Sequence, residues 1–458
     1  MDKIEQRIIQ IIDENAEKII AFGDDIWHHA ELGFMEHRTG AKFADALEEL
    51  GLSAQREIAV TGVKSYLKPK TEGEVNVCLM GELDALPFDK HPDANPQTGA
   101  AHCCGHNAQL TGVLGAAMAL TDPQVKAALG GNITFIGVPA EENCAGSVDN
   151  FNRLKAEGII ECQGGKAEFI RQGVMDDIDL TVGHHTVAKD NLTDPDLILC
   201  NSSSMGFIEK YVTYAGISQH PAFESKSIDA LSAATLAMHA VDQQREALNR
   251  WPKPMNFILH GYILNGGTAS NVISNHVEMD YNIRGTTTQD MLEIGYRVDR
   301  SLKGAAMAHG AGLEIRTETG YLPIVPVKDG SIIHEVFDVI DSEKKYIRDS
   351  IEGDRLAGTT DYGDLSSIMP VIQFNTAGAT GTGHTTSYRV SDPYEYYVTT
   401  AKIFALLGYR LLKDDAAKAK QIIAENKPLY TKEEYLELRN RLSKTEKVEM
   451  IPVPEKFE

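Results

Sequence analysis

The pattern of apolar and polar residues predicts helices alternating with buried strands in the first part of the chain. Two amphipathic helical segments, separated by Gly23, cover residues from about 4 to 50. Apolar residues recur at helical spacing again from about residue 107 to 120. Three largely apolar runs predict buried strands: Val75–Leu83, Asn132–Val138 and Ile178–Val182. Strands separated by helices are typical of an α/β fold with a mostly parallel mixed sheet flanked by helices.

Beyond residue 205 the predicted elements follow a different order, β-α-β-β-α-β. They are strand Phe207–Tyr214, helix Ser227–Leu248, strands Asn256–Leu264 and His276–Ile283, helix Thr288–His309 and strand Leu313–Thr319. This is the ferredoxin-like order, and it predicts an inserted α+β domain over residues 205–320. The α/β domain then spans residues 1–204 and resumes over 321–458. Its second part has a helix Ser331–Lys345, a strand Val371–Phe374 and, after Lys413, a charged helical tail.

Composition narrows the class of protein without indicating a reaction. The 458-residue chain is 42% hydrophobic and 24% charged, which suits a globular protein with a proper core. Its formal net charge of −22 argues against nucleic acid as a partner. The sequence shows no signal-peptide pattern and no apolar run near the ~18 residues of a membrane span. Six cysteines are too few for a disulfide framework in a chain of this length. We therefore expect a cytoplasmic protein that does not bind membranes.

The stretch Gly99–Asn107 concentrates candidate metal ligands. It holds His102, Cys103, Cys104 and His106 within five positions, between a predicted strand and a predicted helix. Open α/β sheets usually place their chemistry in such a loop. Cys104 and His106 are separated by one residue, so both can face one cation. The alternative is a buried thiol pair with a capping histidine, because a zinc-type site needs further ligands from elsewhere.

Other loops supply further candidate ligands. Predicted strand ends are followed in turn by Asp84, by Glu141 and Glu142, and by His185. The glycine-rich segment Thr376–Thr386 adds His384. It lacks the lysine and the following helix of a phosphate-binding P-loop. Each of these residues alone has a structural interpretation, as a cap, a solvated charge or a packing group. Together, at one edge of a parallel sheet, they favour a ligand site.

The segment Trp27–Gly40, WHHAELGFMEHRTG, carries two more histidines, His28 and His29. The nearby acids are not at convincing ligand spacing. We therefore interpret both histidines as exposed polar residues where a helix meets a loop.

The donor types in the candidate set indicate the metal and the reaction. Thiolate, imidazole and carboxylate ligands suit two divalent cations of the Zn, Mn or Co type better than Ca or Mg. The candidate ligands are Cys104, His106, Glu142, His185 and His384. Glu141 adjoins a ligand and is placed to take a proton from water. Two metals would activate water and polarise a carbonyl together, so the implied reaction is amide hydrolysis. No G-x-S-x-G elbow of a serine hydrolase occurs.

Five short motifs carry a family resemblance. The chain resembles the aminoacylase/carboxypeptidase-type amidohydrolases, a family of co-catalytic metallopeptidases, over nearly its whole length. The motifs are ELDALP (Glu82–Pro87), HCCGHN (His102–Asn107), PAEE (Pro139–Glu142), GHH (Gly183–His185) and GHTT (Gly383–Thr386). The resemblance implies that the five candidate ligands bind two metal ions, Zn or Mn. It also implies that Glu141 is the general base and that Asp84 orients a ligand histidine.

The same resemblance implies roles for three residues of the inserted domain. GISQHP contains His220, ASNVIS contains Asn271 and NIRG contains Arg284. They match family positions that bind the substrate carboxylate and the developing oxyanion. In the family the inserted domain forms the contact of a homodimer, and the histidine equivalent to His220 reaches the partner's metal site.

One departure points to a sub-branch. Many relatives have CGHD followed closely by another histidine, whereas this chain has CGHNAQ, with Asn107 and Gln109. The sub-branch similar to the aminobenzoyl-glutamate utilisation protein B also has CGHN and a segment like Gly358–Pro370. The resemblance thus implies hydrolysis of an N-acyl or aminobenzoyl amino acid. Alternatives are a dipeptidase or carboxypeptidase on the same scaffold, a non-catalytic binding subunit, and a thiol-redox role for Cys103 and Cys104.

Overall fold

The structure is a computed structural model that describes residues 1–188, 190, 198–250, 255–340, 347–349, 358–452 and 454. The chain divides into two compact units. The first comprises Met1–Ser203, Ile324–Arg355 and Asp361–Lys432. The second comprises Ser204–Pro323, Leu356–Thr360 and Glu433–Glu458.

Helices and strands alternate through most of the described chain. The helices are α1 Lys3–Glu14, α2 Ala16–His28, α3 His37–Glu49, α4 His106–Leu120, α5 Pro123–Ala127, α6 Ala145–Ala156, α7 Gly165–Arg171, α8 Ala230–Leu248, α9 Thr288–His309, α10 Ser331–Ile340, α11 Tyr362–Ile368, α12 Thr400–Glu425 and α13 Lys432–Leu442. The strands are β1 Ala54–Ile58, β2 Gly62–Tyr66, β3 Asn76–Glu82, β4 Asn132–Val138, β5 Leu180–Ala188, β6 Ile198–Cys200, β7 Gly206–Ala215, β8 Phe257–Asn265, β9 His276–Gly285, β10 Gly312–Thr319, β11 Ile347–Asp349, β12 Val371–Thr380, β13 Arg389–Val390 and β14 Lys444–Val448. A 3₁₀ segment covers Pro221–Lys226, and a π-helical turn covers Tyr394–Thr399.

The first unit is built on a seven-stranded mixed sheet. Its strand order is β1-β2-β4-β3-β5-β12-β13. The four central strands β4, β3, β5 and β12 run parallel, and the outer strands are antiparallel. All residues of β3 and β4 are buried, which explains their unbroken apolar runs. The carboxyl ends of the parallel strands share one edge of the sheet, so the segments that follow them lie close together.

Helix α4 lies against the middle of this sheet. It is buried around its whole circumference, because it contacts β3 on one side and α12 on the other. A buried helix of this kind is apolar on every face. The contact with β3 is close: a Cβ on Gly81 would lie 2.7 Å from Cα of Leu110. Glycine at position 81 therefore sets the depth of α4, and with it the position of His106 at the start of the helix.

The second unit is a five-stranded antiparallel sheet with two helices packed on it. Its strand order is β14-β10-β7-β9-β8, and α8 and α9 contact β7 and β9. The alternating burial along β9 shows that one face of the sheet is covered. The elements β7, α8, β8, β9, α9 and β10 follow the predicted β-α-β-β-α-β order, so the ferredoxin-like prediction is confirmed.

The C-terminal tail differs from the sequence prediction. The sequence predicts a helical tail belonging to the first domain, whereas α13 is followed by β14, which pairs antiparallel with β10. Glu446 of β14 forms an ion pair with Lys303 (2.7 Å), and Lys447 forms one with Glu314 (2.8 Å). The strand has charged residues on both faces, so its sequence shows no apolar alternation. Its pairing with β10 is what makes it a strand.

Several element ends also differ from the prediction. Strand β5 runs to Ala188, so His185 lies within the strand rather than after it. Strand β12 continues to Thr380, and α10 ends at Ile340. The predicted end of that helix, 341–345, lies outside the described residues. No helix in the described ranges is long and apolar enough to cross a membrane.

Candidate metal centre

The edge of the first sheet brings the predicted ligand residues together at the start of α4. Gly105 precedes the helix with φ of +104°, a conformation that favours glycine. This turn sends the chain from Cys104 into the helix and places His106 as its first residue. His384, in the loop after β12, is fixed by its backbone N–H, which donates to the carbonyl of Cys103 (2.9 Å).

Cys104 is the centre of one ligand group. Its Sγ lies 3.2 Å from Nε2 of His185 and 3.3 Å from Nε2 of His384. Nε2 of His384 is in turn 3.2 Å from Oε1 of Glu142. Burial raises the pKa of the Cys104 thiol, but the neighbouring imidazoles outweigh it and hold the pKa well below the usual value. The nearby sulfur, followed by hydrogen bonds to Cys104 and Glu142, raises the pKa of His384 to about 11. The thiol is thus poised to be a thiolate, the form that binds metals.

His106 is the centre of a second group. Its Nδ1 lies 2.9 Å from the carbonyl oxygen of Asp84 and 3.1 Å from Oδ1 of the same residue. Its Nε2 faces three carboxylates: Oε2 of Glu82 at 3.0 Å, Oε2 of Glu141 at 3.8 Å and Oε1 of Glu142 at 3.9 Å. A ligand histidine held at Nδ1 by a carboxylate presents Nε2 to its metal. Glu142 therefore lies between the two groups.

Burial sets the protonation of the acids in this centre. Burial raises the pKa of Glu141 well above its ordinary value, and the charges of Glu82 and Glu142 add to the effect. Burial, followed by the Cys104 sulfur, raises the pKa of Glu142 to about 7. Asp84 behaves differently, because His106 outweighs the burial and lowers the pKa of this carboxyl. Oδ2 of Asp84 also accepts a hydrogen bond from the backbone N–H of Glu142 (2.8 Å).

A buried ion cluster beside His106 was missed by the sequence analysis. Nζ of Lys166 lies 2.5 Å from Oε1 of Glu82 and also binds Oδ1 of Asp361. Its ammonium stands 4.1 Å from the ring centre of Tyr362. Oε2 of Glu82 accepts a hydrogen bond from Nε2 of Gln109 (2.6 Å). The available signal was an acid inside an apolar strand, since a buried carboxylate needs a cation or a metal as a partner.

The donor set fits divalent metal ions. Two groups of ligand atoms lie close enough to hold an ion: Cys104, Glu142 and His384, and Glu82, His106 and Glu141. Nε2 of His106 is buried and makes no hydrogen bond within the part of the chain that the structure describes. A nitrogen in that position has its lone pair free for a metal. The mixture of sulfur, nitrogen and oxygen atoms matches the chemistry of Zn or Mn sites.

The three predicted residues of the inserted domain lie in the second unit. His220 is exposed and its Nδ1 accepts a hydrogen bond from the N–H of Ala222 (3.1 Å). Asn271 is exposed between β8 and β9. Arg284 is half-buried on β9, and its Nε donates to Oδ1 of Asn282 (3.0 Å). Their roles toward a substrate stay predictions.

The remaining histidine and cysteine candidates have local roles. Nδ1 of His28 lies 2.7 Å from the carbonyl oxygen of Asp24, and Nδ1 of His29 lies 2.7 Å from that of Asp25. Both rings are thus bound to their own helix, one turn back. All six cysteines are free thiols, including the adjacent Cys103.

Comparisons with known proteins identify the family. Residues 78–409 match the model of peptidase family M20/M25/M40. The N-acyl-L-amino acid amidohydrolase of Geobacillus stearothermophilus is 25% identical over 72% of this chain and 83% of its own length. A p-aminobenzoyl-glutamate hydrolase of Escherichia coli K12 is 26% identical over 70% of this chain and 63% of its own.

A solved structure shows the same fold. The YXEP protein of Bacillus subtilis, described as a dinuclear metal binding peptidase from the M20 family, has a TM-score of 0.63 and 19% identity. The match covers 87% of this chain and 99% of that one. The matched family region contains both ligand groups and the sheet that positions them. The chain belongs to peptidase family M20/M25/M40 and is a metal-dependent hydrolase of amide or peptide bonds.

Proposed function

We propose that the protein releases an amino acid from an N-acyl or aminobenzoyl amino acid, with two divalent ions bound by Cys104, His106, Glu142, His185 and His384. The observation that carries the proposal is the pair of ligand groups around Cys104 and His106, with Glu142 between them. When bound, the ions would supply an activated water and a polarised carbonyl.

Glu141 is the general base in this proposal. Its Oε2 lies 3.8 Å from Nε2 of His106, so the carboxylate is directly beside the ligand atoms. It takes the proton of the attacking water and passes it to the leaving nitrogen. A carboxyl with a pKa raised by burial is suited to both steps at neutral pH. Asp84 holds the ring of His106 in the orientation that presents Nε2.

The substrate class rests on the sub-branch motifs and the relatives. The CGHN motif and the segment Gly358–Pro370 resemble the aminobenzoyl-glutamate branch, and one matched relative is named for that substrate. Another matched relative is named for N-acyl-L-amino acids. We therefore expect turnover of an aromatic or acyl amide of an amino acid rather than of long peptides.

The test combines a substrate panel with two neighbouring variants. The metal-free protein is loaded with Zn or Mn and assayed on aminobenzoyl-glutamate, N-acetyl amino acids and dipeptides. Glu141→Gln should keep its metal and lower kcat by about 10²–10⁴, the usual contribution of a positioned base. Glu142→Gln should lose metal instead. Equal metal loss in both variants would contradict the assigned roles, and a panel without turnover would contradict the substrate class.

We also propose that the protein is a homodimer joined by the second unit. Strand β8 is the outer strand opposite β14, and its Tyr262 and Leu264 are 46% and 61% exposed. An open edge with exposed apolar side chains favours pairing with its own copy about a two-fold axis. His220 of one subunit would then stabilise the oxyanion in the site of the other.

Complementation tests whether His220 acts on the partner's site. Inactive Glu141→Gln and inactive His220→Ala proteins are mixed under conditions that exchange subunits. A mixed dimer has one site with both groups intact, so part of the wild-type activity should return. Loss of an oxyanion donor alone typically lowers kcat about 10²–10³-fold. Verified mixed dimers without recovered activity would show that His220 does not act across the interface.

A further inference from the structure

The segment Glu31–Glu36, here called the ELGFME loop, joins the two strand ends that carry the catalytic acids. It connects α2 to α3, in the stretch that the sequence analysis interpreted as an exposed junction. On the side of β3, the N–H of Ala85 donates to the carbonyl of Glu31 (2.8 Å), and Leu32 forms a parallel bridge with Ala85. Ala85 directly follows Asp84, so this side of the loop fixes the residue that orients His106.

On the side of β4, the loop contacts the segment that carries Glu141 and Glu142. The N–H of Gly33 donates to Oγ of Ser147 (3.1 Å), and Nδ2 of Asn150 donates to the carbonyl of Gly33 (3.0 Å). A Cβ on Gly33 would lie 3.0 Å from Cβ of Ala140 and 2.7 Å from Oγ of Ser147. The backbone of the loop therefore lies directly against the start of α6 and the residue before Glu141.

Glu36 makes the polar contact at the end of the loop. It is fully buried, and its Oε1 accepts a hydrogen bond from the backbone N–H of Ala140 (2.8 Å). Its Oε2 accepts one from Oγ1 of Thr61 (2.7 Å). Both carboxylate oxygens are thus directed by one backbone and one side-chain donor. An acceptor with two fixed donors holds its partners in one geometry.

Ala140 adopts a backbone conformation that needs such support. Its φ is +48°, in the left-handed region, which costs a non-glycine residue roughly 1–3 kcal/mol. On the other side, its carbonyl accepts a hydrogen bond from the N–H of Gly165 (3.2 Å). A Cβ on Gly165 would collide with the carbonyl oxygen of Pro139, so the two segments are in direct contact. Because Ala140 precedes Glu141, its φ decides where the carboxylate of Glu141 points.

We propose that Glu36 is a positioning residue for the hydrolytic reaction, which holds Ala140 in the left-handed conformation and so aims Glu141 at the attacking water. The inference rests on the proposed role of Glu141 as the general base. Glu36 acts on the reaction through one hydrogen bond and one backbone torsion. A carboxyl that only stabilised the fold would change stability without changing the rate of the metal-loaded enzyme.

Three variants separate these roles. Glu36→Leu removes both acceptors at similar size, and kcat should fall about 10–100-fold through misplacement of the base, with KM and metal content unchanged. Glu36→Gln keeps an oxygen for the N–H of Ala140 and should retain most of the wild-type kcat. Glu31→Leu is the matched control, because the Glu31 carboxylate accepts hydrogen bonds from the N–H groups of Arg38 and Thr39 and the hydroxyl of Thr39, all within its own segment of chain. It should lower stability but not kcat.

A rescue and an exchange measurement complete the test. Adding Ala140→Gly to Glu36→Leu lowers the cost of the left-handed torsion and should recover part of the lost kcat. Hydrogen exchange of the Ala140 amide should quicken in Glu36→Leu and stay slow in Glu36→Gln. Should Glu36→Leu fail to fold, Thr61→Val, which frees Oε2 of Glu36, should show a smaller loss of kcat alone.

The outcomes distinguish this inference from the proposed function. If Glu141→Gln is inactive while Glu36→Leu and Thr61→Val keep the wild-type kcat, Glu36 is not a positioning residue. A loss of kcat in Glu31→Leu equal to that in Glu36→Leu, or no recovery on adding Ala140→Gly, would overturn the inference in the same way. If Glu141→Gln keeps its activity, the proposed general base is wrong, whatever Glu36 does.

Discussion

Among single residues, Cys104 has an environment unlike that of its neighbour Cys103. Burial raises the pKa of both thiols, but the three imidazoles around Cys104 lower its pKa well below the usual value. At Cys103, burial, followed by the charge of Cys104, raises the pKa to about 12. One thiol is therefore set to be a metal-binding thiolate and the other a protonated core group. This contrast argues against a redox pair.

The two cysteines predict different variants. Cys104→Ala should lower metal content and activity together, because metal affinity depends on the full ligand set. Cys103→Ala should keep both, since its carbonyl, which accepts the N–H of His384, is unchanged. Elemental analysis and an activity assay on the same preparations provide the measurement. Full metal stoichiometry in Cys104→Ala would show that its sulfur is not a ligand.

At the scale of elements, the sequence predicted what repeats and missed what depends on distant partners. Strands β3 and β4, helix α4 and the β-α-β-β-α-β unit were predictable, because their burial follows from apolar periodicity. The cluster of Lys166, Glu82 and Asp361 was not, since its members come from three elements far apart in the sequence. The same reason explains why the ELGFME loop looked exposed. Its partners are known only once the sheet is assembled.

The contact between α4 and β3 gives a prediction for stability. A Cβ on Gly81 would lie 2.7 Å from the backbone of Leu110, where nothing can move aside easily. Gly81→Ala should therefore lower the free energy of unfolding by about 1–3 kcal/mol and displace His106 enough to weaken metal binding. Gly304→Ala is the control, because no atom of the described chain lies within 4 Å of its added Cβ. It lies inside helix α9 and should raise stability by about 0.5–1 kcal/mol.

Urea unfolding followed by circular dichroism, with metal content measured in parallel, tests this pair of variants. A Gly81→Ala protein as stable as the wild type would show that α4 can move away from the sheet without cost. The arrangement of the metal centre would then depend less on this helix than the packing indicates.

At the scale of the whole molecule, the chain has two units with different tasks. The first unit holds both ligand groups on one sheet edge, together with the loop that supports them. The second carries a sheet whose two outer strands differ in origin. Strand β8 belongs to the inserted segment, whereas β14 comes from the end of the chain. In the proposed homodimer only β8 is left to pair with a second copy.

The strand at the chain end therefore also limits the size of the assembly. Removing residues 443–458 would uncover β10 and leave the sheet with two unpaired edges. Copies of such a sheet can join β8 to β10 head to tail, an arrangement that does not close on itself and grows into open chains. Light scattering over a range of concentrations should show a fixed dimer for the full chain and growing polymers for the truncated one. A truncated protein that stays dimeric would show that β14 has no such stopping role.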